Sequence, residues 1–259
     1  RQVAMLDPDC VMAYWGAALA TFEKSERAAG FIEEAFEKME SASPREKLYI
    51  KALHRYFRGE KKEHRKVDSD CKEKEDDAKQ DDVKDGESEY EIVDDSNKKE
   101  RAARYLKDLE DIVIEYPNDI EAKALVVHRI WYNTRSGWKI GSFVAAEALL
   151  KEILKVNPLH PAHHYRIHLW DRRKPKLALE SAGMCGLASP SIAHMWHMPG
   201  HIYSKLHRYR DAAWQQEASA RVDHAHQMRF GLIPDQIHNF AHNNEWLIRN
   251  LQYIGRYED

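Results

Sequence analysis

The chain has 259 residues, 32% of them charged and 43% hydrophobic, with a formal net charge of -3. That balance predicts a soluble, mostly helical protein with enough chain to bury a substantial core. It excludes the basic face that a nucleic-acid partner requires, and no apolar run reaches the ~20 residues of a bilayer span.

In chain order, residues 1–58 read as N-terminal helical repeats. Leu6-Asp7-Pro8-Asp9 is a turn signal, and Phe31, Ala35 and Met39 recur at helical spacing. Residues 59–100 are dominated by Lys, Glu and Asp. With almost nothing to bury, they are expected to form a disordered insertion, the alternative being an acidic docking tail. Tyr90, Ile92 and Val93 are the one candidate anchor in it.

Residues 101–259 resume the helical pattern with Leu106, Leu109, Ile112 and Val113. Short punctuation follows at Tyr116-Pro117-Asn118-Asp119, Val156-Asn157-Pro158 and Ala188-Ser189-Pro190-Ser191. Proline in a first turn, beside Asp, Asn or Ser, marks helix starts. The intervals leave room for pairs of helices, the unit of a helical solenoid. The expected fold class is all-α, an α-α superhelix. Cys10, Cys71 and Cys185 are odd in number and far apart, which excludes a disulfide framework and a CxxC pair within the chain.

From Ala193 the run AHMWHMPGHIYSKLHRYRDAAWQQEASARVD resembles one tetratricopeptide repeat. Trp196, Gly200 and Tyr203 fall where that repeat places its packing residues, and Tyr209 and Ala212 open its second helix. Ala178, Ala146 and Tyr105 each stand 12 residues before a punctuating proline, at Pro190, Pro158 and Pro117. The run LQYIGRYED resembles the turn of a further repeat, so the chain is expected to stop inside one. With no initiator Met and no signal peptide, it reads as a fragment whose localisation is open. The segments HHYRIHLWD, HMWHMPGHIY and HNFAHNNEWL are similar to ones in large bacterial tetratricopeptide proteins, some joined to a redoxin-like domain. That likeness names no activity. The repeat resemblance implies a scaffold that binds a protein or peptide in a concave groove. His128, Lys205, Glu245 and Arg249 are its expected contacts, and the register also puts His194, His197, His201 and His242 on the groove face.

Histidine is the one residue type whose pattern suggests chemistry. Twelve of the 15 histidines lie between His160 and His242. His194, His197 and His201 share one helix face, and His164/His168 and His238/His242 are i, i+4 pairs. Three readings remain open. One is a site for Zn, Cu, Ni or Fe, for storage, sensing or oxidoreductive use, built from His194, His197, His201 and His242 with His164, His168, His238 and Glu245 nearby. The second is the peptide groove, and the third is a set of internally bonded structural histidines.

No HExxH, GxSxG, phosphate loop or Rossmann fingerprint is present, so no reaction is assigned. Pro199 is expected to interrupt hydrogen bonding inside the histidine helix and to free the Met195 carbonyl. Asp171-Arg172-Arg173 reads as a turn, and Glu217 and Arg221 as a surface pair.

Overall fold

A computed structural model describes residues 2–59 and 98–258, which divide into two compact units, 1–112 and 113–259. Among the described residues the secondary structure is helical, with no strand. Residues 60–97, which carry Cys71 and the Tyr90, Ile92 and Val93 triplet, lie outside the described residues.

The first unit holds α1 (Gln2–Leu6), α2 (Val11–Ala20), α3 (Ser25–Glu37), α4 (Pro44–Arg58) and most of α5 (Lys98–Glu115). α4 starts as its sequence dictates. Pro44 occupies the first turn, the Ser43 hydroxyl accepts from the Glu46 amide at 3.3 Å, and the Glu46 carboxylate accepts from the Ser43 amide at 2.9 Å. The buried stripe of α3 runs through Ala28, Ile32 and Ala35. Phe31 is half-buried and Met39 falls beyond the helix end, so the expected stripe is offset. Tyr105 of α5 reaches α4 through the Tyr56 ring at 5.6 Å, and Arg55 pairs with Asp108 at 3.1 Å.

The second unit continues with α6 (Ile120–Tyr132), α7 (Phe143–Val156), α8 (His163–Trp170), α9 (Leu179–Ala188), α10 (Ala193–Lys205), α11 (Tyr209–Phe230) and α12 (His238–Tyr253). Successive helices pack as hairpins, α6 with α7, α8 with α9 and α10 with α11, and α12 returns against α11. This is the nearest-neighbour packing of tetratricopeptide-type helix pairs. Leu150, Ile153, Ile167, Cys185 and Ile202 make its core. Pro117, Pro158 and Pro190 sit in the turns ahead of α6, α8 and α10, rather than inside their first turns as expected. At α6 the cap is Asp119, whose carboxylate accepts from the Glu121 and Ala122 amides at 3.0 and 3.2 Å. α10 runs helical on both sides of Pro199.

The α11–α12 contact is unusually polar. Asn243 donates to the Asp223 carboxylate at 2.6 Å, while the Asn243 side-chain oxygen is buried with no hydrogen-bond partner. Burial raises the Asp223 pKa above its ordinary 3.8, against the opposing pull of the Asn243 hydrogen bond. A raised folded-state pKa means that the contribution is fully present below the unfolded value and is lost as pH rises through the folded one. At neutral pH the Asp223 charge is therefore a penalty. Asp223→Asn removes it and offers the orphaned Asn243 oxygen a donor. Denaturation at pH 7 should show a gain of ~1 kcal/mol that vanishes in acid below the carboxylate range.

Candidate functional site

Four helices of the second unit stand in one row, α6 beside α8, α8 beside α10 and α10 beside α12. The row carries His128 on α6, His164 and His168 on α8, His194, His197 and His201 on α10, and His242 on α12. Spacings of three and four residues put the histidines of each helix on one face. The rings then follow one another across helices: His164–His194 centroids at 5.0 Å, His194–His197 at 5.8 Å and His197–His242 at 4.7 Å.

Two groups of three form, His164–His168–His194 and His197–His201–His242. Within each, one ring nitrogen per residue lies within 4.8 Å of the other two. The i, i+4 pairs are closer, His164 Nε2 to His168 Nε2 at 3.0 Å and His197 Nε2 to His201 Nε2 at 2.8 Å. The single site expected around His194, His197, His201 and His242 is thus divided. His194 and His201 are seven residues apart on one helix, ~10 Å along its axis, too far to share an ion. Each instead joins histidines of a different neighbouring helix. Glu245 stands beside the second group, 3.9 Å from His242 Nδ1, and pairs with Arg249 at 2.9 Å. The His238 side chain lies outside the described residues.

Supporting contacts orient the rings. Gln216, fully buried, accepts from His197 Nδ1 at 2.7 Å and donates to the His197 carbonyl at 3.2 Å, which leaves Nε2 as the lone-pair nitrogen. Trp131 stacks on His168 at 3.9 Å, and Trp246 meets His201 edge-on at 4.3 Å. His128 packs on Tyr165 at 5.1 Å. His128 Nδ1 and His194 Nδ1 are buried and have no hydrogen-bond partner. Burial, reinforced by the neighbouring histidines and, for His201, by Lys205, holds His164 and His201 down to about 3, and burial holds His197 to about 4 despite its bond to Gln216. These imidazoles are neutral at physiological pH, the form that ligates metals.

Each group offers three imidazole nitrogens that could hold a metal ion. A tetrahedral ion holds nitrogens at ~2.0–2.1 Å, hence ~3.3 Å from one another; the i, i+4 pairs at 3.0 and 2.8 Å are slightly closer than this, and the other separations reach up to 4.8 Å. Imidazole donors with no thiolate or carboxylate in the set would favour Zn, Cu, Ni or Fe over Mg or Ca. A cavity of about 490 Å³ touches both groups, through His168 and His194 of the first and His197, His201 and His242 of the second. Its remaining wall includes Trp131, Phe143, Arg135, Arg172 and Arg173. Those arginines escaped the sequence reading. The local signal was Asp171-Arg172-Arg173, which does form a turn, but which the fold also brings to the mouth of the histidine cavity.

Other predicted residues are placed as follows. Lys205 donates to the Asp171 carbonyl at 2.9 Å and to its carboxylate at 3.2 Å. His160 and His163 are structural. His160 Nδ1 accepts from the Ala162 amide at 2.9 Å, and His163 bonds Ser181 at 3.0 Å and the Pro158 carbonyl at 2.8 Å. Glu217 and Arg221 pair at 2.6 Å, as their spacing predicts.

The second unit is therefore a stack of tetratricopeptide-type helix pairs with two three-histidine clusters on the row formed by α8, α10 and α12. No protein-family model matches the chain, and no curated protein matches it. Solved structures similar to it include two of MamA. A crystal structure of MamA protein aligns at 11% identity and a TM-score of 0.47, over 62% of this chain and 77% of that one. A MamA RS-1 ArsTM double mutant aligns at 15% identity and a TM-score of 0.40, over 61% and 88%.

Proposed function

We propose that the second unit binds transition-metal ions in two three-histidine centres. The observation that carries this reading is the convergence of three imidazole nitrogens within 4.8 Å, twice, from helices far apart in sequence. Histidines serving only as groove contacts would be spread out and solvated. Histidines serving only the core would have their nitrogens bonded internally, as His163 does; His164 with His168 and His197 with His201 do pair in this way, but the buried His194 Nδ1 has no partner. Three ligands leave an open coordination position, the arrangement of sites that bind or transform a ligand rather than of closed structural sites.

The test is metal analysis of the purified, tag-free protein, with Zn, Cu, Ni and Fe each offered after chelation. Two ions per chain are expected, falling to one in His168→Ala and to one in His242→Ala. Saturating metal should raise the melting temperature, as any ligand of the folded state does. A chain that takes up no ion and gains no thermal stability would sink the reading.

A second reading is a helical-repeat scaffold that seats a protein or peptide on the same row of helices. The exposed Glu245–Arg249 pair beside His242 favours it, because charged pairs at a groove edge are the usual contacts of peptide recognition. Under this reading metal analysis is blank and Glu245→Ala weakens a purified partner without changing the fold.

A further inference from the structure

The cavity between the two histidine groups carries more positive charge than its walls can neutralise. Arg172 and Arg173 line it, and the only carboxylate among its lining residues is Asp171, which Lys205 already engages at 3.2 Å. Arg172 and Arg173 are exposed and have no carboxylate partner among the described residues. The Arg173 guanidinium lies over the Phe143 ring, 4.5 Å from its centroid, which fixes the cation at the cavity edge and leaves its in-plane N–H groups to donate.

The ligand set adds to the imbalance. Metal sites with acidic ligands cancel much of the ion's charge, but an imidazole ligand carries none to cancel, so two bound ions would bring their whole charge into a half-enclosed space. Such a space calls for an anion, as a bound counter-charge is far cheaper than an unpaired buried cation. Apart from Thr134, the rest of the wall is apolar: Trp131, Ile140, Phe143, Leu169 and Met198. At about 490 Å³ the space suits a metabolite-sized molecule rather than a protein side chain or a lone inorganic ion.

We infer that this cavity takes a small organic anion, its negative group held between the open coordination positions and the guanidinium rim, its apolar body against Trp131, Ile140 and Phe143. The inference rests on the metal reading and names the class of ligand for the same site. The arginines select charge, and the aromatic wall selects a hydrophobic body over a bare ion.

The experiment uses the full chain loaded with cobalt(II), its metal content measured first, and titrates benzoate, acetate and inorganic phosphate by calorimetry and by the visible cobalt spectrum. Benzoate should bind and shift the cobalt bands. Acetate, which lacks the ring, should bind at least ~10-fold more weakly. The exposed double variant Arg172→Ala/Arg173→Ala should load the same metal yet lose benzoate affinity by ~10-fold or more. A two-ion protein that ignores benzoate, that prefers phosphate, or whose benzoate affinity survives loss of both arginines overturns the inference and leaves the metal centres standing. A chain that takes up none of cobalt, zinc, copper, nickel or iron fails at the metal measurement, before any anion is added, and removes both.

Discussion

A Gln216→Leu variant is expected to bind metal at the His197–His201–His242 centre about 10–100-fold more weakly than the unaltered chain, with the His164–His168–His194 centre unchanged. Leucine keeps the buried volume but cannot accept from His197 Nδ1 or donate to the His197 carbonyl, so the ring loses both its tautomer and its orientation. Gly200→Ala should reach the same end by a different route. A Cβ at position 200 would overlap the Gln216 amide, with its Cδ only 2.8 Å away, and the side chain would have to leave His197. Competitive titration against a chelator, read centre by centre in the His168→Ala and His242→Ala backgrounds, checks both. Equal weakening of the two centres would mean that the variants act by general destabilisation rather than through His197.

The largest expected effect on stability lies at Arg166. Its guanidinium meets both Glu147 carboxylate oxygens, the shortest contact being 2.7 Å, and reaches Glu180 at 3.0 Å. The Arg166 and Glu147 side chains are 10% and 13% exposed, so the pair sits almost wholly out of water. Arg166→Ala leaves Glu147 with only the Trp170 indole donor, at 2.7 Å, and should cost about 3–5 kcal/mol of unfolding free energy in urea. Replacing both partners by apolar residues, Arg166→Met with Glu147→Leu, should restore most of it, because no uncompensated charge then remains. A double variant as unstable as Arg166→Ala would assign the loss to packing of the arginine stem instead.

Much of the fold was legible because it is local. The proline punctuation and the 3.6-residue recurrence of small and apolar side chains mark each helix pair, and the spacing around Ala193 to Asp223 resembles a tetratricopeptide repeat closely enough to predict α10 and α11. The same spacing names Trp196 and Gly200 as packing residues without naming their partners. Those are Gly186, against whose Cα the Trp196 ring lies so closely that an added Cβ would overlap it, and Gln216. The offset in α3 has a similar origin. Ile32 and Phe31 are adjacent and both apolar, so periodicity alone does not decide which one faces the core.

The histidine face of each helix followed from sequence alone, since residues three and four apart share a side of any α-helix whatever surrounds it. How those faces combine was a tertiary decision. α10 lies between α8 and α12, so His194 turns to His164 and His168, while His197 and His201 meet His242. The arginine rim likewise exists only because a turn after α8 and the loop after α6 close on one cavity. The rings of His164, His194, His197 and His242 are brought into a chain of contacts by helix stacking, and the chain's local periodicity carries no record of which distant helix will be the neighbour.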